Sequence, residues 1–457
     1  LGLDDDNFTE ILGGELHNSS ASSLEYMEAV WPRLQTLSLP PVLATVSWEL
    51  TEPREGVFDF HLVDGLLDQA RRHHLHLVLL WFGSWKNGRS SYVPLWVKTD
   101  LARFPRAQDK RGHNTDVISP FSENAQNADA RAFAALMRHL GQVDSTEHTV
   151  LMIQAENEVG MLRESRDRSP EAQKAWNGPV PSGLLHSLSQ HKDHLLPELD
   201  SVWARQGYKT EGTWIDVFGD DPAGHEIFMA WQLGRYIGAV AAAGKREYRL
   251  PIYVNAWLVQ NDKQPPGDYP SGGAVSRMMD VWRAAAPEID LLAPDIYLPD
   301  FAAVCASYTR SGNPLFIPEA STGPESPGNA FYAFGHHNAI GFSPFGIESL
   351  PAEHPIGSAY SLLASISPAI LKAQADGTIA GFVQGKQEVD HAVFGSYRFE
   401  IRYPSRHGVK GSGILLLAGP NQFFVAGRAI SIRVGTVESG MTARVGEVDE
   451  GRFVNGV

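Results

Sequence analysis

Thr149-Val150-Leu151-Met152-Ile153-Gln154-Ala155-Glu156-Asn157-Glu158-Val159-Gly160 is an apolar run that ends in a carboxylate-amide-carboxylate triplet. The apolar part is strand-length and has no wet face, as expected of a strand in a parallel sheet buried on both sides. Working outward, similar runs recur at Thr9 to Leu16, Val42 to Trp48, Leu75 to Phe82, Pro251 to Asn255, Leu291 to Ile296, Leu315 to Ile317 and Ile340 to Phe345, with Val150 to Ile153 the fourth of eight. Between them, stretches such as Leu62 to His73 and Ala128 to Leu140 repeat apolar residues at three- and four-residue spacing, the pattern of a packed helix face. Eight strand–helix alternations close a parallel sheet into a (β/α)8 TIM barrel of the α/β class.

The connections are uneven. Met161 to Pro222 is a long insertion after the triplet, and Gln260 to Gly273 is a loop punctuated by Pro and Gly. Loops after barrel strands sit on the catalytic face, so both are expected to shape a substrate site. After Ser349 a helical stretch, Ile356 to Ala375, precedes short alternating segments at Val393 to Arg402, Gly413 to Leu417, Gln422 to Val425 and Ala429 to Val434. These read as a smaller C-terminal antiparallel, sandwich-like β domain, giving a division into 1–376 and 377–457 with the boundary near Gly377.

Composition narrows the function. The 457 residues carry a formal charge of -15, which leaves no basic stripe for phosphates and excludes nucleic acid as an expected partner. The single cysteine, Cys305, excludes an intrachain disulfide and a Cys-rich metal cluster. His73, His74, His76, His336 and His337 lack the spacing of a zinc site, and Gly13-Gly14 and Gly272-Gly273 lack the pattern of a phosphate loop, so neither metal nor cofactor is expected. No run of 18 apolar residues suggests a membrane span. The chain begins at Leu1, compatible with processing or trimming, and a periplasmic or secreted location is expected, with the cytoplasm as the alternative. Oligomeric state has no signature.

Carbohydrate is the partner the chemistry suggests. Glu319 ends the seventh strand in Pro314-Leu315-Phe316-Ile317-Pro318-Glu319-Ala320-Ser321, and acids at two strand ends are what two-carboxylate hydrolysis of a glycosidic bond needs. Retention requires the two carboxyl groups to stand about 5–5.5 Å apart. Glu156 and Glu158 compete for the acid role, since alternate residues share a face only if the strand runs on through both. Tyr297, after the sixth strand, is placed to hold an oxygen of Glu319 or simply to line the barrel mouth. Trp81, Trp85 and Trp257, at the ends of strands three and five, suit either stacking on sugar rings or packing the core.

Gln154-Ala155-Glu156-Asn157-Glu158-Val159-Gly160 resembles the Q-x-E-N-E-x-G motif of glycoside hydrolase family 35, the β-galactosidases. Gly13-Gly14-Glu15-Leu16-His17 is similar to its first-strand G-G-S-I-H, and Trp48-Glu49-Leu50-Thr51-Glu52-Pro53 with Gly56-Val57-Phe58-Asp59-Phe60 to its W-N-x-H-E-P and G-x-F-D-F. Trp81-Phe82-Gly83-Ser84-Trp85-Lys86-Asn87, with the strand-rich C-terminal part, looks like a bacterial subgroup. The resemblance implies Glu158 as acid/base, Glu319 as nucleophile, Asn157 on the sugar 2-hydroxyl and Glu156 lining the sugar site. It implies a retaining exo-β-galactosidase acting on oligo- or polysaccharides, with a β-glucosidase, a β-mannosidase or a non-catalytic carbohydrate-binding barrel as alternatives. The chain departs from the family at Thr45, Glu49 and Phe82-Gly83-Ser84, where family members commonly have Tyr, Asn and Cys-Ala-Glu against the terminal galactose.

Overall fold

The structure, a computed structural model, describes residues 11–37, 41–261, 263–404 and 409–451. Its fold is a (β/α)8 barrel with a smaller C-terminal antiparallel β domain. By contacts the described residues fall into two compact units, one within 16–31 and 41–295, the other within 11–15, 32–37 and 296–451.

The first of these units holds the strands Pro41–Ser47, His76–Lys86, Val150–Asn157, Ile252–Trp257 and Leu291–Ile296, each paired in parallel with the next. Every residue of Pro41–Ser47 is buried, and so is every residue of His76–Lys86 after His76. Helices cover both, leaving no wet face, and this is why these strands read as unbroken apolar runs. Helix starts follow local chemistry. Ser122 accepts from the Ala125 amide to cap Glu123–Val143, and Asp221 accepts from Ala223 and Gly224 to cap Pro222–Glu247, with Pro222 at the first turn.

The insertion after the fourth strand contains short helices, Pro170–Trp176, Ser182–Gln190, Pro197–Arg205 and Trp214–Phe218. None is long enough for apolar periodicity to stand out, so the sequence showed only a loop. An antiparallel hairpin, Arg106–Gln108 with Asn114–Ile118, also escaped the sequence reading.

In the other unit, Ile11–Leu12 pairs in parallel with Gly341–Pro344, which pairs in parallel with Phe316–Ala320. The expected first strand is split at Gly13 into Ile11–Leu12 and Gly14–Glu15, and its start at Thr9 and Glu10 lies outside the described residues. Helix Pro355–Asp376 is the one helix among the described residues long and apolar enough to cross a bilayer. It is a barrel helix. Its Tyr360 hydroxyl is buried 2.6 Å from the Phe342 carbonyl and 2.9 Å from that of Gly13.

Gly377, at φ 66, ends that helix in the left-handed conformation that glycine adopts without strain. Two three-stranded antiparallel sheets follow. Ile379–Val383, Ser412–Gly419 and Gln422–Arg428 form one, and Val389–Phe394, Tyr397–Arg402 and Ser431–Thr436 the other. Phe382, Phe394, Phe399, Ile401, Tyr403 and Leu415 pack together as their core.

Candidate active site

The fourth strand does not continue straight through its acids. Glu156 has φ 62 and Glu158 φ 43, left-handed values that non-glycine residues rarely take and that cost about 1–2 kcal/mol each. Opposite them the third strand bulges. Trp81 pairs with Ala155 and Lys86 with Asn157, so residues 82–85 on one strand face the single residue Glu156 on the other.

The bulge turns amides inward, and Glu156 answers them. Ser84 N–H donates to its Oε1 at 3.1 Å and Trp85 N–H to its Oε2 at 2.7 Å. Asp129, from helix Glu123–Val143, accepts from Trp81 Nε1 at 2.9 Å and from the Ser84 hydroxyl at 2.7 Å. Burial, then the charge of Asp129, pushes the Glu156 carboxyl well above its ordinary range. Burial also raises Asp129, against hydrogen bonds from Glu156, Ser84 and Trp81. Of the two carboxyls, Glu156 is the one pushed further toward its protonated form, by burial and by the charge of Asp129. Gly83 is required here, since a Cβ would stand 2.4 Å from Trp81 Nε1 and 2.6 Å from Glu156 Oε1.

Expected on the sugar site, Glu156 is fully buried, and Trp81 and Trp85 are packed inside with it. The Trp85 indole lies edge-on to Tyr236 and its Nε1 donates to the Ile118 carbonyl at 3.3 Å. Trp257 is half-buried at the end of the fifth strand.

Glu158 is held differently. Asn87, itself at φ 52, donates its side-chain N–H to Glu158 Oε2. The Glu158 amide donates to Asn255 Oδ1 at 2.9 Å, and Asn255 Nδ2 donates to Asp295 Oδ2 at 2.8 Å. Lys86 Nζ donates to Asn157 Oδ1 at 3.0 Å. The backbones agree, with the Asn87 and Gly88 amides donating to the carbonyls of Asn157 and Glu158, both at 3.1 Å. Glu158 keeps 6% of its surface open and Asn157 none.

Glu319 lies in strand Phe316–Ala320 with 5% of its surface open. The Tyr297 hydroxyl donates to its Oε2 at 2.9 Å, while the Tyr297 ring is half exposed. A hydroxyl on one oxygen fixes the orientation of the carboxylate.

Beyond the expected residues, the geometry brings in Asn87, Asn255, Asp295, Lys86 and Asp129. A signal for two of them existed, because Asn255 and Asp295 are polar residues near the C-terminal ends of barrel strands. A cavity of about 220 Å³ lies at the end of strand Pro41–Ser47, lined by Asn18, Ser19, Thr45, Ser47, Glu49 and Tyr92 among others. Lys98 donates to Glu49 at 2.8 Å. Among the described residues, no histidine or cysteine belongs to a group able to hold a metal.

A family profile described as β-galactosidase, that of glycoside hydrolase family 42, matches residues 32–214, under half of the chain. A second, described as a domain of unknown function (DUF5597), matches residues 356–457. The expectation of family 35 is thereby overturned: the profile that matches is that of family 42. Both are β-galactosidase families of one clan, so short motifs around strand-end acids do not separate them. No curated protein matches the sequence.

Among solved structures, the β-galactosidase from Bacillus circulans sp. alkalophilus is 14% identical with a TM-score of 0.54, over 81% of this chain and 58% of that one. The β-galactosidase from the psychrophilic Marinomonas ef1 is 12% identical with a TM-score of 0.52, over 80% and 60%. The catalytic domain of a β-amylase from Paenibacillus polymyxa is 13% identical with a TM-score of 0.51, over 79% and 99%. These likenesses concern the fold. The chain spans about three fifths of the length of the two β-galactosidases.

Proposed function

We propose that this chain is a retaining β-galactosidase that removes terminal β-galactose from oligo- or polysaccharides, with Glu319 as nucleophile and Glu158 as acid/base. One observation carries the reading: each acid ends a barrel strand and is held by its own neutral donor, Asn87 for Glu158 and Tyr297 for Glu319. The galactose assignment is supported by the family 42 profile over residues 32–214.

In this reading Glu319 attacks the anomeric carbon while Glu158 gives its proton to the leaving oxygen. Glu158 then takes a proton from water, which hydrolyses the glycosyl ester. Trp257 borders the sugar, whereas Asn157 is sealed and holds Lys86. Glu156 supports the bulge that carries Asn87, instead of touching substrate.

Azide rescue separates the roles. Added azide is expected to restore turnover of an activated aryl β-galactoside in both Glu158→Ala and Glu319→Ala, giving a β-galactosyl azide with the first and an α-galactosyl azide with the second. The opposite pairing would reverse the assignment, and near wild-type activity in either variant without azide would remove it.

The cavity favours a second substrate reading on the same chemistry. Thr45, Ser47 and Glu49 line it with hydrogen-bonding side chains, Glu49 being the carboxylate that accepts from Lys98. A changed hydrogen-bonding partner alters discrimination between sugars by orders of magnitude. A panel of aryl β-galactosides, β-glucosides and β-mannosides decides, and a higher kcat/KM on the gluco or manno substrate would displace galactose.

A further inference from the structure

Asp295 plays no part in the chemistry above, yet it is placed with care. It is 3% exposed, on strand Leu291–Ile296, and one of its oxygens accepts from Asn255 at 2.8 Å. The same Asn255 side chain accepts from the Glu158 amide at 2.9 Å. One amide thus ties the backbone of Glu158 to the carboxylate of Asp295. Carboxylate oxygens of Glu158 and Asp295 lie within 4.8 Å of each other.

We infer that Asp295, fixed by Asn255, is a positioning residue whose negative charge keeps Glu158 protonated for the first chemical step. The inference rests on the proposed role of Glu158 as acid/base. A like charge at this separation between two buried carboxyls disfavours ionisation of its neighbour. The remaining groups pull in different directions. Asn87 donates to the Glu158 carboxyl and favours its ionised form, and the Lys86 ammonium, bound to Asn157, does the same from one residue away. Asn255 carries no charge. In the proposed reaction the nucleophile Glu319 adds a second negative charge before attack and loses it on forming the glycosyl ester, whereas the charge of Asp295 persists through both steps.

Asp295→Asn keeps the shape of the side chain and an oxygen for Asn255 while removing the charge. The basic limb of the kcat/KM profile against pH reports the acid of the free enzyme, and it is expected to move down by about one pH unit. Asp295→Glu should hold the limb near its wild-type position. Asn255→Ala, which cuts the tether without touching the charge, should move it downward. Infrared difference spectra give a reading independent of turnover: the protonated carboxyl band that vanishes in Glu158→Gln should titrate at lower pH in Asp295→Asn.

An unmoved basic limb and carboxyl band in Asp295→Asn, with activity retained, would overturn the inference and leave the glycosidase reading standing. If Asp295→Asn does not fold, an unmoved limb in Asn255→Ala overturns it equally. No turnover of any glycoside by the wild-type chain would overturn the reading itself, and the inference with it.

Discussion

Glu156 and Glu158 are two residues apart in one motif and live in different chemistry. Glu156 is sealed, has its carboxyl pushed well above the ordinary range, and accepts from two backbone amides of the facing bulge beside Asp129. Glu158 keeps 6% of its surface open and is held by the side chain of Asn87 and an amide tether to Asn255. Left-handed backbone at both positions makes the difference, because it breaks the two-residue alternation that would have put them on one face. On the proposed reading, two acids of one motif divide into one that builds the site and one that works in it.

The comparison breaks most visibly at Glu158. Glu158→Gln is expected to lower kcat/KM on substrates with poor leaving groups by about 10²- to 10⁴-fold, the range of general acid/base catalysis, while the denaturation midpoint stays put. A large stability loss with intact chemistry would mean that the two glutamates had been given each other's roles.

Glu156→Ala should do the reverse, taking the acceptor from the Trp85 amide and leaving the Ser84 amide only Asp129 Oδ2 at 3.2 Å, at a cost of about 1–3 kcal/mol in urea unfolding. Glu156→Gln should cost less at neutral pH, since an amide imitates the protonated carboxyl. The sign with pH follows from the raised carboxyl. A group that holds its proton more tightly when folded contributes full stability below the unfolded pKa of about 4.5, and that contribution drains away as pH rises through the folded value. Wild-type stability should therefore fall relative to Glu156→Gln as pH rises above 4.5, and parallel curves would contradict a protonated Glu156.

Gly83→Ala sharpens the same point with a smaller effect. The added methyl meets Trp81 Nε1, Glu156 Oε1 and Asp129 Oδ1 together, all closer than real Cβ contacts. An overpacking cost of about 1–3 kcal/mol is expected in thermal or urea unfolding. A neutral substitution would show that the bulge has slack.

Much of this is legible in the amino-acid sequence. The strands could be read because burial on both faces leaves continuous apolar runs, and the acids stood out because a charged residue directly after such a run must find a partner or a task. The division of labour between Glu156 and Glu158 could not be read, since it depends on a bulge in the facing strand, and Gly83 inside an otherwise apolar run was its only local trace. Asn255 and Asp295 went unseen for a different reason. Their meaning comes from a hydrogen-bond chain across three strands distant in sequence, which no local pattern encodes. Family membership failed on specificity, because motifs around the acids follow the chemistry more closely than they follow descent.

The most direct measurement is to trap the covalent intermediate. Wild-type protein incubated with an activated 2-deoxy-2-fluoro-β-galactoside, digested and sequenced by mass spectrometry, should carry the fluorosugar on Glu319, with Glu158 and Glu156 unmodified. A label on either of those two residues, or release of inverted product with no labelled peptide, would contradict the account.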